Sequence, residues 1–209
     1  MNLGNLLIIG DSYSTFEGYI PEGYVFWYGY DDKGRTDVVA KEETWWSQLV
    51  ERVECSLIRN ESYSGTTVSN TERPTMPGTS FVYRTERLVE SGFFRENKID
   101  TVMIFGTTND SWIDSPIGEI KYDNISREDI KSVLPAYAYL VSLVKENAPE
   151  ARIIAIANCD IKDEIINGIL EIAEHYGAKG VRLANVSKQN GHPDKQGMKE
   201  ICEQVVAAL

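Results

Sequence analysis

The strongest constraint on this chain is a set of five short apolar runs that end in polar or Gly-rich residues. They are Leu6 to Ile9, Ser56 to Ile58, Thr101 to Phe105, Arg152 to Ala157 and Val181 to Val186. Most lack a polar–apolar alternation, as expected for strands of a parallel sheet covered on both faces. Between them the apolar spacing becomes helical. Trp45, Trp46, Leu49 and Val53 form a stripe within residues 42–53. Val133, Leu134, Tyr137, Leu140, Val141 and Val144 form another within 130–147, which Pro149 stops. Residues 162–176, capped by Gly177, and 196–209 complete the series, with a further helix expected within 81–96. Alternating strands and helices predict a three-layer α/β/α sandwich with right-handed crossovers.

In such sheets, functional side chains collect in loops at the carboxyl ends of the strands. Ser12 follows the first strand in Gly10-Asp11-Ser12-Tyr13-Ser14, and the second ends Asn60-Glu61-Ser62-Tyr63-Ser64-Gly65. The third ends Gly106-Thr107-Thr108-Asn109-Asp110, and Gly191-His192-Pro193-Asp194 precedes the last helix. One sheet edge therefore gathers a hydroxyl, a glycine backbone, a side-chain amide and an imidazole, the parts needed for acyl transfer. Ser12 would be the nucleophile and His192 its general base. The N–H groups of Ser12 and Gly65 and the side-chain amide of Asn109 would hold the oxyanion.

Each residue also has a plainer reading. Ser12 could close a turn, Gly65 could be only a turn glycine, Asn109 suits a helix cap, and His192 could lie on the surface. The only other histidine, His175, has no motif around it. Asp11 reads as a turn former. Trp45 and Trp46 suit a core, whereas Trp112, three residues past Asn109, is a candidate substrate contact. The long connections 13–41 and 110–129 fall near this edge, and the first is rich in aromatics, as a lid or a self-packed insertion would be.

Together the four blocks resemble the GDSL/SGNH hydrolase superfamily, in order and over nearly the whole chain. The resemblance implies one domain over residues 1–209, a flavodoxin-like five-stranded parallel sheet of order 2-1-3-4-5, and esterase, lipase or carbohydrate-deacetylase activity. One position departs from the family pattern. The acid three residues before the histidine is replaced by Gln189. The expectation is a Ser–His dyad supported by a carbonyl oxygen, from Gln189 or from the backbone, with less activity than full-triad relatives. Asp194, after the proline, is expected to point away.

With 21 Lys plus Arg against 32 Asp plus Glu, the net charge is -11, which disfavours nucleic acid and anionic membranes as partners. The three cysteines, Cys55, Cys159 and Cys202, are scattered and fit no metal-site spacing. Cys159 and Cys202 read as buried thiols. The chain is read as soluble and cytoplasmic, with Leu6 to Ile9 a strand rather than a signal segment. It is expected to use no cofactor and to act on a small acyl ester, with its oligomeric state open. Two other readings remain: a flavodoxin-like module binding a ligand or anion at the Ser12 turn, and a degenerate, non-catalytic SGNH protein.

Overall fold

The computed structural model describes residues 2–31, 34–71 and 76–209. The first long connection is therefore described except at positions 32 and 33. The main sheet contains β1 (Asn2–Gly10), β2 (Glu54–Ser62), β3 (Thr101–Gly106), β4 (Arg152–Ala157) and β5 (Lys179–Arg182). All neighbouring pairs are parallel, in the order β2-β1-β3-β4-β5.

The missing alternation in the apolar runs has a direct cause. Leu7, Ile9, Val102, Ile104, Ile153 and Ala155 enter the core on one face. Leu6, Ile8, Met103, Phe105, Ile154 and Ile156 enter the core on the other. Burying each large aliphatic chain contributes about 1.5–3 kcal/mol, so a polar residue at any of these positions is costly. Edge strand β2 differs: its first six residues alternate between exposed and half-buried, and only Asn60, Glu61 and Ser62 are buried.

Helices α2 (Phe81–Glu90), α5 (Val133–Asn147) and α6 (Asp163–His175) supply the first core. Helices α1 (Trp45–Arg52) and α7 (Lys195–Ala208) supply the second. Trp45 and Trp46 are both in that core. The expected helix within 81–96 is two helices, α2 and α3 (Phe93–Glu96), separated by Gly92 at φ +82°. The fifth strand lies earlier than Val181 to Val186, ending at Arg182. Leu183 and Val186 are buried in the loop that follows rather than in the sheet. Cys202 is buried, but Cys159 is only half-buried.

The connection at 110–129 begins inside α4 (Thr108–Trp112), and its Ile117, Ile120, Tyr122 and Ile125 pack against the first core. Among the described residues no helix is long and apolar enough to cross a membrane, and no cluster of three metal-ligating side chains occurs. The β1–β3 neighbourhood is the point where the strand order reverses. There the connections leave toward opposite faces and open a crevice.

Candidate active site

Ser12 opens a 3-10 turn immediately beyond β1. Asp11, not Ser12, caps the turn, accepting the Tyr13 N–H on Oδ1 at 3.0 Å. The Asp11 carboxyl is buried, and burial pushes it up to about 7. Gly10 is needed just before the turn, because a Cβ there would meet Ser62 Oγ at 2.4 Å.

Asn190 and Gly191 have φ values of +50° and +76°. They form the two-residue turn of a hairpin between β6 (Lys188–Gln189) and β7 (His192–Pro193). Asn-Gly is the sequence that such a left-handed turn favours. The hairpin returns His192 to the end of β1, where its Nε2 lies 2.9 Å from Ser12 Oγ. Its Nδ1 lies 3.2 Å from the Asn190 carbonyl oxygen. With the proton on Nδ1 donated to that carbonyl, Nε2 is left with a lone pair facing the Ser12 hydroxyl.

Gln189 is not the group that meets the ring. Its Oε1 accepts the Asp37 N–H at 2.9 Å, so of the two carbonyl sources expected from sequence, the backbone one faces Nδ1. Asp194 is turned away: its carboxylate caps α7 through the Gly197 N–H and accepts the Ser187 hydroxyl.

Gly65 has φ +82°, a left-handed conformation that an L side chain rarely adopts. Asn109 is the second residue of α4, so it is not that helix's cap; Thr107 is. One N–H of its amide donates to the Thr66 carbonyl at 3.0 Å, tying α4 to the loop after Gly65. Asp110 makes the same tie from the next position, accepting the Val68 N–H, the Ser69 N–H and the Ser69 hydroxyl.

Behind these loops lies a cation that sequence reasoning missed. Arg84, only 1% exposed, donates to the carbonyls of Gly10, Glu61 and Thr79 and reaches Thr66 Oγ1. Burial lowers its guanidinium to about 10, which leaves it charged at neutral pH. The sequence signal was an arginine on the face of α2 that also carries Phe81 and Leu88.

The first long connection supplies the rest of the wall. Phe16 and Tyr28 are core residues, whereas Trp27 stacks on the His192 ring with centroids 3.6 Å apart and planes 8° from parallel. Tyr13 donates to the Gly191 carbonyl and Tyr28 to the Pro193 carbonyl, fixing the hairpin on both sides of His192. Trp112 is 50% exposed and meets His192 edge-on at 5.6 Å. His175 ends α6, exposed and stacked on Tyr122.

The imidazole is 4% exposed, and its pKa is lowered from 6.5 to about 4. Burial is the main cause. The Asn190 carbonyl pulls the other way, and Lys188 and Arg35 add smaller repulsions. The ring is therefore neutral, as a proton acceptor must be, over the ordinary pH range.

A doubly wound α/β protein with a serine hydroxyl against a neutral histidine at its switch point has the layout of a serine hydrolase. The chain belongs to the GDSL-like lipase/acylhydrolase family, whose model matches residues 4–209. A structure from Bacteroides uniformis ATCC 8492, assigned as a GDSL-like lipase, is 38% identical with a TM-score of 0.89, covering 98% of this chain and 94% of that one. A second, from Bacteroides ovatus ATCC 8483, is 33% identical with a TM-score of 0.87, covering 99% and 98%. The fold is shared more distantly with an acetyl xylan esterase from the rumen bacterium Butyrivibrio proteoclasticus. That match has 17% identity and a TM-score of 0.58, covering 99% of this chain and 63% of that one. At a stringent threshold no curated protein sequence matches the chain.

Proposed function

We propose that this protein is a serine esterase that cleaves a carboxylic ester through an acyl-enzyme, with Ser12 as nucleophile and His192 as general base. The observation that carries the proposal is the 2.9 Å contact from Ser12 Oγ to a ring nitrogen of a histidine whose other nitrogen faces a carbonyl. As the bond from Oγ to the ester carbon forms, the hydroxyl proton passes to Nε2. The tetrahedral oxyanion is held by the N–H groups of Ser12 and Gly65 and by the second N–H of the Asn109 amide. Collapse breaks the bond to the alcohol oxygen, which takes the proton from Nε2. Water then repeats the sequence on the acyl-enzyme and releases the acid.

The dyad lacks the carboxylate that would stabilise the imidazolium formed in each step. The Asn190 carbonyl keeps the tautomer but carries only a partial charge. That limits the rate relative to full triads, and the lowered imidazole pKa also weakens the base. The same shift widens the usable pH range. Activity requires the neutral ring, so kcat/KM for an ester should stay level as pH falls below 6.5 and drop only near pH 4. A pH–rate profile with its acid limb near 6.5 would mean that burial does not govern this histidine.

Since His192 returns its proton to the leaving alcohol, the alcohol part of the ester lies on the His192 side, where Trp112 exposes its indole. An exposed flat ring suits a sugar face, so the preferred substrate is an O-acylated carbohydrate. Trp112→Ala is expected to raise KM for an acetylated xylo-oligosaccharide about two- to tenfold, the worth of one such contact. It should leave hydrolysis of vinyl acetate, which has no ring, within about twofold on the same scale. Equal losses on both substrates would remove Trp112 from the alcohol site. The esterase reading itself is tested by acetate release from these substrates together with phosphonate labelling of Ser12.

A further inference from the structure

We infer that Trp27 is the positioning residue of His192, doing through its ring face what the missing carboxylate does in a full triad. The inference rests on the reading of His192 as the base. A triad carboxylate has two tasks: it fixes the plane of the imidazole and stabilises the imidazolium that forms as the nucleophile attacks. Here the Asn190 carbonyl meets Nδ1 at 3.2 Å. That contact selects the tautomer but leaves the ring free to rock about the N–O axis. The indole of Trp27, parallel to the imidazole within 8° and 3.6 Å away, removes that freedom. Its electron-rich face also favours the cation that the proton transfer creates.

Trp27 is itself tied to the nucleophile. Its backbone N–H donates to Thr15 Oγ1 at 2.9 Å, and the Thr15 hydroxyl donates to the Ser12 carbonyl at 3.0 Å. Its carbonyl accepts from the Arg35 guanidinium at 2.9 Å. The Arg35 backbone carbonyl in turn accepts from Asn190 Nδ2 at 2.7 Å. A chain of short contacts thus runs from the Ser12 turn through Trp27 to the turn that carries His192. The ionisable groups around the imidazole are the Tyr13 and Tyr28 phenols, which donate to the hairpin carbonyls, and the cations Arg35 and Lys188. Lys188 is paired with Asp160 at 2.8 Å. No carboxylate among the described residues contacts either nitrogen of the imidazole, so the aromatic face is the group placed to offset its positive charge.

The test compares wild type with Trp27→Phe, Trp27→Leu and His192→Ala in ester hydrolysis over pH 4–9. Trp27→Leu is expected to lower kcat about ten- to thirtyfold with KM within about threefold, because the lost stabilisation belongs to the transition state. Trp27→Phe, which keeps a ring face, should restore most of that kcat. The acid limb of kcat/KM in Trp27→Leu should not rise above its wild-type position, since leucine still covers the imidazole. A role in loop packing alone would give equal losses with Phe and Leu, or an acid limb moved up as water reaches the ring. Either result, or an unchanged kcat in Trp27→Leu, overturns the inference. If His192→Ala retained full activity the base assignment itself would fail. An inactive His192→Ala beside a fully active Trp27→Leu would overturn the role of Trp27 alone.

Discussion

Ser12→Ala and His192→Ala should each reduce ester hydrolysis to the rate of the oxyanion contacts and binding alone, a loss of about 10⁴- to 10⁶-fold in kcat. The two losses should not add. Without the hydroxyl the imidazole has nothing to deprotonate, and without the imidazole the hydroxyl stays a weak nucleophile, so the double variant should match the single ones. Neither change should unfold the chain. The turn that holds Ser12 is buried but is capped by Asp11 rather than by the Ser12 hydroxyl, and the hairpin carrying His192 is held by Tyr13 and Tyr28 through backbone carbonyls that the substitution leaves in place. Steady-state rates with vinyl acetate, read beside far-ultraviolet circular dichroism, check both statements. A folded Ser12→Ala protein with wild-type turnover would assign the chemistry to another residue. A folded wild type inert toward Ser12-directed phosphonates would favour a binding role for the same turn.

The sheet was legible because its physics is uniform. A run such as Thr101 to Phe105, buried on both faces between two neighbours, has only one way to satisfy its backbone and its side chains together. Legibility fell where burial became one-sided or local. In β5 only Val181 is buried, and the apolar residues after Arg182 belong to a loop that packs in the same core as α7, so apolar composition alone points to a strand that is too late. Helix α4 spans Thr108–Trp112, too short for an apolar period to show.

The four blocks of the site were legible for a different reason. Three of them combine small and polar residues at the end of a sheet strand, and the fourth sets a histidine just after an Asn-Gly pair, neither of which a packed core requires. The hairpin that presents His192 was also readable, because Asn190-Gly191 is a two-residue turn sequence. Taken only as part of a motif, it hid the geometry that puts a backbone carbonyl on Nδ1. Trp27 left no comparable trace, and Arg84 left only its place on the face of α2 that carries Phe81 and Leu88. One sits in a loop without periodicity, and the other is a charge on an amphipathic helix, where a solvated face is the ordinary expectation.

Arg84 is where the largest loss of stability is expected. Its guanidinium sits behind the ends of β1 and β2, with hydrogen bonds to the carbonyls of Gly10, Glu61 and Thr79, and its ring partner is Phe81 at 4.7 Å. Gly10 precedes the Ser12 turn, and Thr66, which Arg84 also touches, offers its own carbonyl to the Asn109 amide. Methionine at position 84 would fill much of the space but remove the guanidinium's hydrogen bonds to the Glu61, Thr79 and Gly10 carbonyls, of which Gly10 keeps the Tyr63 N–H. The expected cost is about 3–5 kcal/mol, less than the sum of the separate bonds because the loops can relax. Lysine would keep the charge but not the planar fork that reaches several carbonyls at once, so Arg84→Lys should lose roughly half as much. Urea unfolding of both variants measures this directly, through the midpoint at constant m-value. The folded fraction carries the functional consequence. With the Gly10 and Thr66 contacts gone, the Ser12 turn and the Asn109 amide lose their common anchor, and kcat should fall in Arg84→Lys even where the protein is fully folded. If Arg84→Lys kept wild-type kcat while losing stability, the cation would hold the sheet edge together without setting the geometry of the loops that carry Ser12 and Asn109.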